Sequence, residues 1–240
     1  MKFKTELTQA KFIKRYKRFF ADCELQGQTV TAHVANTGSL KPNLQEGINC
    51  LLSKADNPDR KLQWSLEAVQ APNQSWVGIN TAIPSKVVQE IFETGAYKPW
   101  NEFSKFKSEI KINDQTRLDG VFLDKNNHPK HYIEIKNVTY VVGDFATGKG
   151  QASFPDGVTE RGLKHLHELS ALIKKGFSAE LIFAVQRTDC QQFVPADDID
   201  PEYCRQLRKS AQDGLIITPM VFALDPSGVR FTGETLPVSL

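Results

Sequence analysis

The residues best suited to catalysis are two carboxylates and an amine in the second half of the chain. In one strand candidate, alternation sends Ile133 and Ile135 to one face. Glu134 and Lys136 therefore lie side by side on the other face. Asp119 stands near the start of the preceding strand candidate. Because neighbouring strands bring such positions together, we expect Asp119 and Glu134 to lie within reach of one metal ion.

These residue types suit the hydrolysis of a phosphodiester. Hard oxygen ligands hold Mg²⁺ or Mn²⁺, and the cation neutralises phosphate charge and activates water. A nearby lysine can orient that water or stabilise developing negative charge. In this hypothesis Asp119 and Glu134 are metal ligands, Lys136 is the third catalytic group, and Glu109 and the Ile135 carbonyl are further candidate ligands. The alternative is an ordinary surface strand that carries a Glu and a Lys.

A second polar cluster lies where a helix is predicted to begin. Backbone N–H groups at a helix N-terminus favour anions. Arg161, Lys164 and His165 share this first part of the helix and are candidates for phosphate contact. The alternative is plain helix capping, with Asp156 or Thr159 as the capping residue.

The N-terminus mixes basic and aromatic side chains. Between positions 2 and 18, seven Lys and Arg residues stand against the single acidic residue Glu6, and aromatic residues are interleaved among them. This mixture suits phosphate contact combined with base stacking. The alternative is a solvated strand or helix face whose aromatic rings pack into the core. The nucleic-acid-binding candidates here are Lys14, Arg15, Tyr16, Lys17 and Arg18, and Arg117, close to Asp119, is a further one.

Two kinds of element must position these groups. Over residues 1–80, alternating apolar residues and frequent turn signals, including a hairpin over residues 19–34, predict a small OB-like β-barrel. Over residues 81–240, strand and helix periods alternate in the order α-β-β-β-α-β, which predicts a PD-(D/E)XK nuclease-like α/β domain. The catalytic candidates fall on the second and third strands of that unit. A glycine-bearing loop is expected at residues 141–154, either as a mobile flap over the site or as plain surface disorder, and a helix is expected over about 158–175.

Composition narrows the classes of protein. The 240 residues are 24% charged and 40% hydrophobic, which is typical of a folded soluble chain. The apolar runs are too short for a membrane span, and no secretory signal is recognised, so we expect a cytoplasmic protein without a membrane partner. The four cysteines are scattered and predict free thiols without a zinc site. The net charge of +2 does not by itself favour nucleic acid.

Five segments are distinctive when taken together, namely residues 13–19, 33–39, 117–119, 132–139 and 154–165. Through them the sequence resembles the sugar fermentation stimulation protein A (SfsA) family over essentially the whole chain. The resemblance implies an N-terminal OB fold, a C-terminal PD-(D/E)XK domain, DNA binding and a regulatory link to sugar utilisation, notably of maltose. It leaves DNA cleavage as a separate question.

One of these segments adds candidates on the barrel. Asn36 and Thr37 precede Gly38, and they are expected to hydrogen-bond nucleic acid or the other domain. The alternative is turn chemistry, because Asn, Thr and Gly are common turn residues.

Two functions follow from these observations. The first is a Mg²⁺- or Mn²⁺-dependent nuclease. The second is a non-catalytic, DNA-binding transcriptional regulator with a vestigial nuclease fold. DNA is the expected partner in both, and a homo-oligomer is left open. An enzyme acting on sugars has little support, because no distinctive carboxylate pair for glycosidic chemistry emerges.

Overall fold

The computed structural model describes residues 1–40 and 42–240, and the first part of the chain forms a closed barrel. Its strands are β1 (Thr8–Tyr16), β2 (Phe20–Leu25), β3 (Gln28–His33), β4 (Asn49–Lys54), β5 (Trp64–Gln70) and β6 (Trp76–Gly78). The parallel pairing of β3 with β5, through Ala32 with Trp64 and His33 with Ser65, closes the barrel. The order around the barrel is β1-β2-β3-β5-β4-β1, with β6 added beside β5, and the predicted OB-like fold is confirmed.

Strand alternation explains which side chains fill the barrel. Along β1, Ala10 and Phe12 are buried while Lys11 is exposed, and a register shift between Phe12 and Lys14 exposes Lys14 as well. The predicted hairpin forms between β2 and β3. Its turn places Gln26 at φ 52° and Gly27 at φ 79°, which is the left-handed conformation that two-residue hairpin turns require.

The second part of the chain forms a six-stranded mixed sheet with helices on both faces. The elements are α1 (Ile83–Thr94), β7 (Lys105–Asn113), β8 (Thr116–Leu123), β9 (Pro129–Val138), β10 (Val141–Asp144), β11 (Lys149–Phe154), α2 (Glu160–Lys174), β12 (Ser178–Val185), β13 (Cys190–Pro195), α3 (Pro201–Gln212), β14 (Ile216–Asp225) and β15 (Gly228–Thr235). The order of the large sheet is β15-β14-β12-β9-β8-β7, and a separate three-stranded sheet has the order β10-β11-β13.

The central strand β9 separates two cores. Tyr132 and Val138 pack with Leu166 of α2 on one face, whereas Ile133 packs with Val88 of α1 on the other. Apart from the strands β10 and β11, which are inserted between β9 and α2, the order α1-β7-β8-β9-α2-β12 matches the predicted α-β-β-β-α-β unit, and the PD-(D/E)XK nuclease-like fold class is confirmed. Glu134 and Lys136 share the face of Tyr132, so they point towards α2.

The prediction of a loop at residues 141–154 is wrong. This segment is the β10–β11 hairpin, and β11 also pairs in parallel with β13. Gly150 allows this close packing, because a Cβ there would lie 2.6 Å from Cγ2 of Val141 and 2.8 Å from the carbonyl oxygen of Asp189. Glycines in the segment hide the strand pattern, since they carry no apolar side chain that would reveal alternation.

The barrel and the α/β part share buried contacts. Leu51 and Ala68 of the barrel pack in the same core as Ile83 and Val87 of α1. A domain boundary at residue 80 therefore stays a prediction. Within residues 1–40 and 42–240, no helix combines the length and apolar content needed to cross a bilayer.

A buried arginine of the α/β part also joins the two parts. The Arg187 guanidinium donates to the Asp189 carboxylate at 2.6 and 2.7 Å, and both side chains are 1% exposed. The same guanidinium donates to the Asn43 side chain at 3.1 Å and to the Thr139 carbonyl at 2.9 Å. Arg187 thus fixes a barrel loop against the end of β9.

Candidate metal centre and nucleic-acid interface

The site forms where β8 and β9 separate. Their pairing ends at Gly120 and Ile133, whereas β9 stays paired with β12 as far as Val138. Asp119 lies just beyond the last pair, and its Oδ2 accepts a hydrogen bond of 2.7 Å from the Ile135 N–H. The Asp119 carboxylate thus takes the place of a strand partner for the Ile135 N–H. It is directed into the gap between β8 and β9, which we call the fork.

Glu134 is the centre of a buried polar cluster. The Lys136 ammonium donates to Oε1 of Glu134 at 2.6 Å, and Nδ1 of His165 hydrogen-bonds to the same oxygen. Nζ of Lys136 also lies 3.4 Å from Nδ1 of His165. The side chains of Glu134, Lys136 and His165 are only 3%, 13% and 6% exposed. The cluster therefore contains a carboxylate, an amine and an imidazole that are largely removed from solvent.

Helix capping holds His165 in place. Thr159, one of the two predicted caps, accepts a hydrogen bond from the Gly162 N–H at 2.9 Å. The Thr159 N–H donates at 2.9 Å to Asp200, which caps α3 in turn. The first turn of α2 is therefore fixed against α3, and His165 points inwards. The sequence places it among phosphate contacts on the helix surface, but in the structure it contacts Glu134.

The two carboxylates have opposite pKa shifts. Burial, and then the negative charge of Glu134, raise the pKa of Asp119 to about 6, against the opposing hydrogen bond from Ile135. Burial alone would also raise the pKa of Glu134. The charge of Lys136 and the hydrogen bond from His165 outweigh it and hold that pKa below its usual value.

The cluster fits an oxygen-preferring cation. Oε2 of Glu134 is buried and has no hydrogen-bond partner, which is a costly state for a carboxylate oxygen. Asp119 supplies a second carboxylate close by. Across residues 1–40 and 42–240, no group of three or more His, Cys, Asp or Glu side chains is arranged to hold a metal ion. A cation bound by this pair would therefore need further oxygen ligands from the backbone or from water.

Glu109 lies at the solvent edge of this region. Its neighbours on β7 pair with the residues on either side of Asp119, so the two positions lie opposite each other on adjacent strands. Glu109 has a φ of 54°, its side chain is 75% exposed, and its carboxylate accepts from Arg117 at 3.2 Å. Glu109 as a metal ligand stays a prediction.

A basic cleft of about 730 Å³ borders the cluster. Arg117 and Arg161 line it and are exposed, while Lys164 donates to the Gln115 carbonyl at 3.2 Å. Lys111, which pairs with Arg117 across β7 and β8, is a further lining residue that sequence reasoning missed, and its ammonium donates to the Asp114 carboxylate of the same cleft at 2.6 Å. The sequence did contain a signal for Lys111, because it lies on the strand candidate that precedes Arg117, a proposed phosphate contact.

The basic N-terminal segment forms β1 and the tight turn into β2. Lys17 and Arg18 occupy that turn with φ of 46° and 59°. Tyr16 and Phe19 are 37% and 41% exposed, and the Tyr16 ring stacks on Phe20 at 5.6 Å. We call residues 16–19 the hairpin tip. Exposed rings beside cationic side chains favour the binding interpretation of this segment over core packing.

Nearby cations differ in their freedom to contact a ligand. Nζ of Lys14 lies 3.8 Å from the Asp22 carboxylate, but the lysine side chain is 67% exposed. The Arg15 guanidinium instead donates to the carbonyls of Asn36 at 2.7 Å and Gly38 at 2.8 Å, and to two further carbonyls. Arg15 therefore holds the loop of residues 36–39 in shape.

Asn36 also has a structural position. Its side chain is buried, donates to the Ile79 carbonyl at 2.9 Å and accepts from the Gly38 N–H at 2.7 Å. These are the turn contacts that formed the alternative interpretation. Thr37 is exposed on the same loop and is free to face a ligand.

Tyr203 is a site residue that sequence reasoning missed. Its hydroxyl is buried without a hydrogen-bond partner, and its ring lies 3.2 Å from where a Cβ on Gly162 would be. Burial, followed by the charge of Glu134, raises the pKa of Tyr203 well above its ordinary value. No motif in the sequence marks this tyrosine, because only the packing of α3 on α2 brings it close to Glu134.

An OB barrel followed by a PD-(D/E)XK-like α/β domain, with a carboxylate and lysine cluster at the strand fork, defines a class of two-part proteins with a nuclease-like fold. Two family models match the chain in the same order. The SfsA N-terminal OB domain matches residues 13–79, and the sugar fermentation stimulation protein RE domain matches residues 82–228.

Individual relatives agree with these matches. A sugar fermentation stimulation protein homolog from Bdellovibrio bacteriovorus is 48% identical, with 100% of both chains covered. A homolog from Maridesulfovibrio salexigens is 42% identical over 96% of this chain and 93% of its own. The chain belongs to the sugar fermentation stimulation protein (SfsA) family. The solved structure of Pyrococcus furiosus SfsA in complex with Ca²⁺ shares the fold, with a TM-score of 0.86, 21% identity and coverage of 100% and 98% of the two chains.

Proposed function

We propose that the protein is a divalent-metal-dependent phosphodiesterase that acts on DNA. The observation that carries this proposal is the buried cluster at the β8–β9 fork, where Glu134 presents an unpartnered oxygen close to Asp119. The basic cleft beside it supplies charge complementary to a phosphate backbone. A metal-binding cluster next to an anion-binding cleft is what phosphodiester hydrolysis needs.

Each residue has a distinct part in this proposal. Asp119 and Glu134 would hold Mg²⁺ or Mn²⁺, with the Ile135 carbonyl as a further ligand. When bound, the cation supplies charge neutralisation to the reacting phosphate and lowers the pKa of water. Lys136 is held by Glu134 and would stabilise negative charge that develops on the phosphate. His165 keeps the Glu134 carboxylate oriented.

The metal assignment has separate support from a relative. The Pyrococcus furiosus protein of the same fold was solved in complex with Ca²⁺, which is also a hard, oxygen-preferring divalent cation. Mg²⁺ or Mn²⁺ as the native metal, the cytoplasm as the location and DNA as the partner are part of the proposal. So is the link to sugar utilisation that the family name expresses.

A second candidate is a DNA-binding regulator without catalysis. The observation in its favour is that Lys136 forms an ion pair with Oε1 of Glu134 and that His165 hydrogen-bonds to the same oxygen. Contacts of this kind can persist as a structural feature without catalysis. Affinity for DNA is expected of both candidates, so only a test of cleavage separates them.

The test is incubation of the purified chain with single- and double-stranded DNA and RNA in Mg²⁺, Mn²⁺ or EDTA. Cleavage of DNA is expected with either metal and absent in EDTA, and it should be lost in Asp119→Asn and Glu134→Gln. Lys174→Ala, at the far end of α2, is the matched control and should cleave normally. Calorimetry with Mn²⁺ should show binding to the wild type and none to the double variant. Metal binding without cleavage of any substrate would favour the regulator.

A further inference from the structure

The hairpin tip is physically linked to the wall of a second cleft. The Phe19 carbonyl accepts a backbone hydrogen bond of 2.9 Å from Val34, which leads into the loop of residues 36–39. Arg15, at the base of the tip, donates to the Asn36 and Gly38 carbonyls of that loop. The position of the tip is therefore fixed relative to the loop.

That loop forms one wall of a cleft of about 340 Å³, which we call the interdomain cleft. The opposite wall contains Asn137 and Thr139 at the end of β9, together with the segment of residues 154–159 that leads into α2. Asn137 directly follows Lys136. The interdomain cleft therefore reaches the end of β9 that carries the carboxylate cluster, although alternation turns the Asn137 side chain to the face opposite Glu134 and Lys136. The basic cleft borders the cluster through His165.

The chemistry of the interdomain cleft differs from that of its flanks. Its lining includes hydroxyl groups, the Asn137 amide, whose oxygen accepts from Gln186, and the Asp156 carboxylate, which accepts backbone hydrogen bonds from Ser39 and Leu40. No Lys or Arg lines it among the residues that the structure describes. A carboxylate disfavours a phosphate, whereas amide, hydroxyl and carboxylate groups hydrogen-bond the edges of bases. Cations are instead found at both ends, on the hairpin tip and in the basic cleft.

We infer that an unpaired DNA strand runs from the hairpin tip through the interdomain cleft to the carboxylate cluster, with one base held in the cleft. This inference rests on the proposed function. Tyr16 and Phe19 stack on unpaired bases, and Lys17 and Arg18 contact their phosphates. A duplex presents its base edges only in its grooves, so a base can enter a cleft of about 340 Å³ only when it is unpaired. The preferred substrate is therefore duplex DNA that carries a single-stranded extension.

Two substitutions block this path at different points. Replacing both Tyr16 and Phe19 by Ala removes the stacking surface from an exposed turn. Gly157→Phe fills the interdomain cleft, and a side chain is sterically acceptable there because a Cβ at Gly157 would have no heavy atom within 4 Å. Ile216→Ala removes an exposed apolar side chain outside the path and is the control.

The experiment measures fluorescence anisotropy in EDTA with a blunt duplex, the same duplex with a DNA extension, and one with an RNA extension. The wild type should bind the DNA extension about tenfold more tightly than the blunt duplex, and either blocking change should remove most of that preference. Ile216→Ala should keep it, and thermal melts establish that each variant is folded. Equal affinity of the wild type for blunt and extended DNA would overturn the inference, as would a tighter complex with the RNA extension.

Because EDTA prevents cleavage, this outcome is independent of the proposed activity. A strand preference without metal-dependent cleavage would sink the nuclease proposal and leave the binding path standing. Cleavage of DNA without any strand preference would do the reverse.

Discussion

The environment of Glu134 is set by Lys136 and His165, whose positions in the sequence relative to Glu134 are very different. Lys136 lies two positions along the same strand, so alternation predicts their proximity. His165 lies on α2, and helical spacing grouped it with Arg161 without fixing how that face is turned against the sheet. The structure buries His165 on Glu134 and leaves Arg161 exposed. The sequence was therefore sufficient to identify candidate residue types. It was not sufficient to predict which face of α2 is turned towards the sheet, because that depends on tertiary packing.

The Tyr203 hydroxyl gives a prediction at this scale. A buried hydroxyl without a partner costs roughly 1–3 kcal/mol, so Tyr203→Phe should leave the metal-free protein as stable or more stable by about 1 kcal/mol. If the hydroxyl positions water or Glu134 during the reaction, metal-dependent cleavage should fall about tenfold in the same variant. Thermal or urea unfolding in EDTA and single-turnover cleavage measure the two effects. A metal-free variant that is less stable by more than 1 kcal/mol would mean that the hydroxyl has a partner in solution.

At the scale of elements, the strands that carry the site were the easiest to predict. Over β8 and β9, apolar alternation is long enough to locate both strands, and the preceding and following helices have clear start and stop signals. The strands β10, β11, β13 and β15 were missed. They are short or rich in glycine and polar residues, and the pairing of β11 with β13 joins segments far apart in sequence. The fork also follows from tertiary pairing, because only the continued pairing of β9 with β12 shows where β8 leaves it.

The β10–β11 hairpin can be tested at Gly150. A Cβ there would press on Val141 and on the carbonyl of Asp189, so Gly150→Ala should lower the free energy of unfolding by about 1–3 kcal/mol through overpacking. Gly157→Ala is the control, since open space surrounds that position, and it should change stability by less than about 0.5 kcal/mol. Urea unfolding gives both values. If Gly150→Ala left the free energy of unfolding unchanged, the hairpin would not pack closely on the segment that leads into β13.

At the scale of the whole molecule, the cations of the hairpin tip and the carboxylate cluster lie on different parts of the fold. The hairpin tip belongs to the barrel, whereas Glu134 lies in the α/β part. Arg15 stands among the basic residues of β1, but its guanidinium is engaged with backbone carbonyls. A test of electrostatic attraction should therefore spare Arg15, because its removal would disturb the loop of residues 36–39 as well as the charge.

Replacing Lys14, Lys17 and Arg18 together by Ala should weaken binding to all DNA sequences. Each lost phosphate contact makes the slope of log K against log salt shallower by about 0.9, so the titration counts the contacts that these side chains make. Metal binding at Glu134 should persist, because the cluster shares no hydrogen bond with the replaced side chains. The control removes the same charge elsewhere, from the exposed lysines Lys125, Lys174 and Lys175. If both triple variants lose affinity equally, net charge alone attracts the DNA, and the hairpin tip is an ordinary solvated turn.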